Sequence, residues 1–95
     1  MSEQFCVYVL RSQVTGRLYI GSTSNLNDRL RRHNDGRSKA TKHGAPWDLV
    51  HTESFETRPQ AVQRELFLKT GKGRDELASL ENDGRSRAVA AATGR

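Results

Sequence analysis

The fold class predicted is α+β, a small three-stranded antiparallel sheet flanked by helices, and three observations predict it. Two short apolar runs, "FCVYVLR" (Phe5–Arg11) and "RLYIG" (Arg17–Gly21), are separated by a glycine-bearing turn, as in a β-hairpin. Two segments with helix caps and helical spacing of apolar residues follow, "SNLNDRLRRHNDG" and "PQAVQRELFLKTGKG". Between them, "WDLVHTESF" (Trp47–Phe55) alternates as a third strand at a sheet edge would.

The first run is near-continuously apolar and β-branched, the pattern of a central strand. Gly16 is the turn residue, and if Arg11 pairs with Gly16 across a four-residue loop, Tyr8 stands opposite Tyr19. Taken alone, two phenols on one face of a hairpin are a cross-strand pair that serves stability. In the first helix Ser24 or Asn25 caps the N-terminus, Asp28 complements its positive end and Gly36 closes it. At about 100° per residue, Leu26, Leu30 and His33 share one face, Arg29 lies on its shoulder, and Arg31 and Arg32 point away.

"GRSKATKHGAP" (Gly36–Pro46) is a polar, basic loop with room for a helical turn. In the second helix Pro59 is pre-organised for the first turn, and Gly71 or Gly73 ends it. Ala61 and Leu68 mark its inner face, Val62 and Leu66 lie further round, and Glu65 falls inside the apolar arc. "RDELASL" is expected to add one short helix. One domain is expected over residues 1–81, followed by a low-complexity, poorly ordered tail over 82–95.

Of the 95 residues only 34% are apolar, and the mean hydropathy is -0.80, so no segment is long and apolar enough to span a membrane. The N-terminal "MSEQFCVYVL" reads as the first strand and not as a signal peptide. A lone Cys6 cannot form an internal disulfide, which makes a reducing cytoplasm the expected compartment. The net charge is +5, and all of it sits in one window. Arg29, Arg31, Arg32, Arg37, Lys39 and Lys42 stand there against Asp35 alone, and basic and acidic residues balance elsewhere. Such a window is the electrostatic footprint of a phosphate-backbone partner, or else a solvated loop that aids solubility.

Each piece alone has a plain structural explanation. Glu65 has Lys69 four residues on as an ion-pair partner, and a histidine among leucines is commonly just packed. The ordered set is more specific. "VYV" at Val7–Val9, "YIG" at Tyr19–Gly21, "RLRRH" at Arg29–His33 and "AVQRE" ending at Glu65 together resemble the GIY-YIG nuclease domain, in its small stand-alone bacterial form. The likeness runs from about Phe5 to Leu80. The chain departs at Cys6, where the first motif has its glycine, and at Ser22, where some members carry lysine.

The resemblance implies an α/β sandwich and a metal-dependent endonuclease that hydrolyses DNA phosphodiester bonds. It assigns catalysis to Tyr8, Tyr19, Arg29, His33 and Glu65, with Glu65 holding Mg²⁺ or Mn²⁺. Arg29 would bind the scissile phosphate through a planar, always-charged fork. Tyr8 is the first choice of general base, its phenolate favoured by the metal or by Arg29, and His33 the second; Tyr19 would assist by hydrogen bonds. Arg31, Arg32, Arg37, Lys39, Lys42 and Lys69 would hold the DNA backbone, and Gly21 would let DNA or the helix approach closely. Single-stranded, branched and duplex DNA remain open as substrates, as does RNA, and a protein partner could supply specificity. Two alternatives stand beside the nuclease. One is a non-catalytic nucleic-acid-binding module that keeps the fold. The other is a small basic RNA- or ribosome-associated protein, which accounts for the charge but not for the tyrosines or Glu65.

Overall fold

Strand β1 (Phe5–Ser12) lies between β2 (Leu18–Thr23) and β3 (Trp47–Phe55), antiparallel to both. The computed structural model describes residues 4–80, so the tail expected over 82–95 lies outside the described residues. Helix α1 (Leu26–Asn34) follows β2, a 3₁₀ turn (Lys42–Gly44) precedes β3, and α2 (Arg58–Leu68) follows it. Residues 71–80 are helical as well and form α3. No described helix is long and apolar enough to cross a membrane.

The apolar run of β1 has a simple cause: the strand is covered on both faces. Val7 and Val9 pack with Ile20, Ala61, Leu68 and Leu77 under α2 and α3. Tyr8 and Leu10 pack with Trp47, Tyr19, Leu26 and Leu30 under α1. The fold is a three-layer sandwich with one helix on one face of the sheet and two on the other, and Val7 to Leu10 are each at most 1% exposed.

The hairpin register differs from the one expected. Arg11 pairs with Leu18, not Gly16, so Tyr8 faces Gly21 and Tyr19 faces Leu10. The cause is Ser12. Its Oγ accepts from the N–H groups of Val14 and Thr15 at 3.0 and 2.9 Å, and its N–H donates to the Arg17 carbonyl at 2.9 Å. That closes a longer loop in which Gly16 takes φ +78°. The slip from Gly16 to Leu18 is even-numbered, so both tyrosines keep the face expected of them.

In β3 the pairing passes from Val9–His51 to Leu10–Leu49, which leaves Val50 as the extra residue of a bulge. Trp47 therefore packs in the α1 layer, whereas Phe55, also odd-numbered, packs against the α2 layer. Asn25 caps α1 by accepting from the Asp28 N–H at 3.1 Å. Thr57 and Gln60 form a capping box on α2, with Pro59 in its first turn. Helix α2 ends at Leu68, before either glycine expected to end it. A Cβ on Gly73 would strike the backbone of Phe67 and Leu68, so that glycine allows α3 to pack closely instead of stopping α2.

Candidate active site

On the α1 face, β1 and α1 bring Tyr8 and His33 together although 25 residues separate them. The Tyr8 hydroxyl lies 3.0 Å from His33 Nε2, and His33 Nδ1 lies 2.7 Å from Thr41 Oγ1. Tyr8 and His33 are each 1% exposed. The Tyr19 ring is half-buried beside them, its centroid 4.9 Å from that of His33 and 6.3 Å from that of Tyr8. Gly21 makes room for this group. A Cβ there would sit 2.6 Å from the Tyr8 hydroxyl oxygen. The space above Gly21 is thus filled by the phenol and not by an approaching helix.

Burial pushes the Tyr8 phenol up to about 12, Tyr19 adds to the shift, and Arg29 opposes it by charge and by a hydrogen bond without reversing it. Burial, and then Arg29, pull His33 below its ordinary 6.5. Both groups are neutral at pH 7. Arg29 does favour the phenolate, as expected, but burial outweighs it. The proton arrangement follows from what each group can do. A guanidinium only donates, so Arg29 offers the phenol proton no acceptor. The phenol's own proton is then directed at His33 Nε2.

Glu65 stands on the other face. Ser22 pairs with Val7 and points into the α2 layer, where its Oγ–H donates to Glu65 Oε1 at 2.7 Å. Lys69 Nζ binds Oε2 at 2.8 Å. The Glu65 side chain is 18% exposed, and its charge reaches Tyr8 and helps raise that phenol. The site therefore straddles the edge strand β2, with Tyr19 and Gly21 serving one half and Ser22 the other. Among the described residues no cluster of three or more His, Cys, Asp or Glu could hold a metal on protein ligands alone. A single carboxylate still fits a hard divalent ion that draws its other ligands from water and phosphate. Two of its four lone-pair sites are taken, one of them by the half-exposed Lys69.

Apart from Arg29, the basic residues of the window lie outside this buried group. Arg31, Arg32, Arg37, Lys39 and Lys42 are exposed. Arg32 pairs with Asp28 at 3.1 Å and Arg37 with Asp35 at 3.3 Å; Arg31, Lys39 and Lys42 have no ion pair among the described residues. Lys69 is engaged by Glu65 and so joins the carboxylate, not the loop. Two residues escaped the sequence reading. Ser22 carried a usable signal, since it directly follows "YIG" on the opposite face, whereas Thr41 carried none within a polar loop.

A hairpin that sets two tyrosines beside a helix bearing arginine and histidine, with a glutamate from a later helix, defines a class of protein. The model of the GIY-YIG catalytic domain matches residues 4–78, and the chain belongs to the GIY-YIG family, a family of nucleases. Its relatives include small proteins named UPF0213. One from Staphylococcus epidermidis is 33% identical over 82 residues, 85% of this chain and 98% of the relative. Another, from Oceanobacillus iheyensis, is 36% identical over 70 residues, 73% of this chain and 80% of the relative. The solution NMR structure of a UPF0213 protein from Bacillus halodurans matches with a TM-score of 0.51 at 29% identity, covering 81% of this chain and 84% of that one.

Proposed function

We propose that this chain is a divalent-metal-dependent endonuclease that hydrolyses DNA phosphodiester bonds in repair or processing, in a cytoplasmic setting. The observation that carries the reading is the buried hydrogen bond between the Tyr8 hydroxyl and His33 Nε2, with Arg29 acting on the phenol and Glu65 across the strand edge. When bound at Glu65, Mg²⁺ or Mn²⁺ would act as a Lewis acid on the phosphate.

The protein's own residues then have distinct tasks. Arg29 offers several N–H donors, enough to leave the phenol for a non-bridging phosphate oxygen. Because Tyr8 is almost sealed, the attacking water would reach its hydroxyl only if such a rearrangement opens the site. The water oxygen bonds to phosphorus and gives a proton to the Tyr8 oxygen, while the phenol proton passes to His33 Nε2. The P–O bond to the leaving group breaks with its electron pair on the departing oxygen, which takes a proton from solvent. Tyr8 is in this scheme a relay and His33 the terminal base, the reverse of the ranking drawn from the sequence. Tyr19 packs on both rings and holds the pair in line.

The exposed cations Arg31, Arg37, Lys39 and Lys42 would contact the DNA backbone, and with no base-reading element among the described residues, selection falls to DNA shape or to a protein partner. One observation favours a second reading, a binding module without activity: Lys69 already neutralises the carboxylate that would hold the metal. A cleavage panel of labelled single-stranded, duplex, flap and branched DNAs with Mg²⁺ or Mn²⁺ separates the two. Arg29→Ala is expected to lose about 10²–10³ in rate, and Glu65→Ala to lose cutting while both retain binding. Tight, salt-sensitive binding without cutting, unchanged by Glu65→Ala, would establish the binding module instead.

A further inference from the structure

We propose that Thr41 is a positioning residue that holds His33 in the tautomer whose bare Nε2 faces the Tyr8 phenol, and so ties the terminal base to the basic loop. The catalytic consequence rests on the nuclease reading, whereas the tautomer does not.

The inference follows from counting protons in a site that water barely reaches. Arg29, which acts on Tyr8, is a pure donor, so among the described residues the phenol proton is given one acceptor, His33 Nε2 at 3.0 Å. A neutral imidazole with a bare Nε2 carries its proton on Nδ1, and Thr41 Oγ1, 2.7 Å away, accepts it. In the opposite tautomer His33 would donate to the Tyr8 oxygen, and the phenol's own proton would have no partner among the described residues. Buried polar groups are rarely left so.

Thr41 is well placed for the task. It is 2% exposed in a loop whose neighbours Arg37, Lys39, Lys42 and His43 are all exposed. Its carbonyl accepts from Trp47 Nε1 at 2.9 Å and from the Gly44 N–H at 3.0 Å, and Ser12 Oγ clamps the Gly44 carbonyl at 2.6 Å. One short segment thus presents cations outward and a fixed hydroxyl inward, so phosphates drawn to the loop bear on the base. The titratable groups facing His33 are Arg29 from its own helix, Tyr8 from β1 and Tyr19 from β2, with the Thr41 hydroxyl from the loop.

The test compares wild type, Thr41→Val and Thr41→Ser in the full chain, by ¹⁵N NMR of the histidine rings and by cleavage against pH. Wild type is expected to show the Nδ1–H tautomer at neutral pH. Thr41→Val should move the ring toward Nε2–H and lower kcat by about 10- to 100-fold, the range for partners that orient a histidine, with KM unchanged. Its acid limb should shift to lower pH, because the imidazolium loses an acceptor. Thr41→Ser should restore both. A loop that merely opened would do the opposite and raise His33 toward its ordinary 6.5. An Nε2–H ring in wild type, or an unchanged ring in folded Thr41→Val, would overturn the proposal. Should Thr41→Val fail to fold, the wild-type and Thr41→Ser spectra decide alone. If wild type cuts no substrate, the nuclease reading falls and the ring spectra still decide the role of Thr41.

Discussion

A phenol held near 12 beside an imidazole held below 6.5 leaves the proposed proton relay neutral at rest. The sign of its pH dependence follows. His33 must be neutral to receive a proton, and its folded-state pKa is lowered, so single-turnover cleavage should rise through an apparent pKa below 6.5 and stay flat through neutral pH. A limb between pH 7 and 9 would point to another base. Gly21→Ala is a second test at this scale. Its new Cβ would sit 2.6 Å from the Tyr8 oxygen, so the phenol must shift, and overpacking of this kind costs about 1–3 kcal/mol. Urea denaturation should show that loss, and cleavage should fall with it. The pairing of the tyrosines on one face, the inward His33 and Arg29 on its shoulder were legible in sequence because strand and helix periods fix them. The strand period places Ser22 on the opposite face, but its partner and that of Thr41 are chosen by tertiary contact. The Ser22–Glu65 bond joins residues 43 apart, and a loop threonine has no period to read.

The elements themselves were legible in number, type and order, and the differences lie at their ends. The serine that lengthened the hairpin loop acts through its side chain, which a count of turn residues does not register. The bulge at Val50 is similarly hidden, since "WDLVHTESF" alternates acceptably in either register. Helix α2 stops before Gly71 because α3 has to start there, which is a packing demand and not a local one. The N-cap of α1 is local, and Asn25 is one of the two residues expected to form it, whereas the Thr57–Gln60 capping box of α2 was not anticipated. Asn25→Ala and Thr57→Ala should each cost about 1 kcal/mol by chemical denaturation. Asn25→Ala should also reduce cleavage, because α1 carries both Arg29 and His33, and equal activity in the two variants would argue against α1 as the functional helix.

At the scale of the whole molecule, two charge systems divide the surface. On the α2 face Arg64 grips Glu53 through Nε at 2.8 Å and Nη2 at 3.0 Å, pairs also with Glu76, and His51 Nε2 lies 2.7 Å from Glu53. Burial alone would raise Glu53, but the hydrogen bonds from Arg64 and His51 outweigh it and hold the carboxyl below 4.5. A depressed folded-state pKa contributes stability above the unfolded value that is lost as pH falls through the folded one. Thermal melts should therefore weaken below about pH 4.5, and Glu53→Gln should flatten that dependence. The other system is the basic window. If its cations meet duplex phosphates, log affinity should fall against log salt, and each of Arg31→Ala, Lys39→Ala and Lys42→Ala should reduce the slope by about 0.9. A salt-independent affinity would remove the window from the interface.

The straddled strand β2 has a consequence of its own. The relay is anchored in one layer and the carboxylate in the other, so the sheet between them works as a gauge block that sets their separation. A shear of either helical layer would detune the site without breaking a single bond within it. Substitutions at the Val7–Ile20–Leu68 contacts, remote from the phenol, are for that reason a means of changing its spacing to the carboxylate.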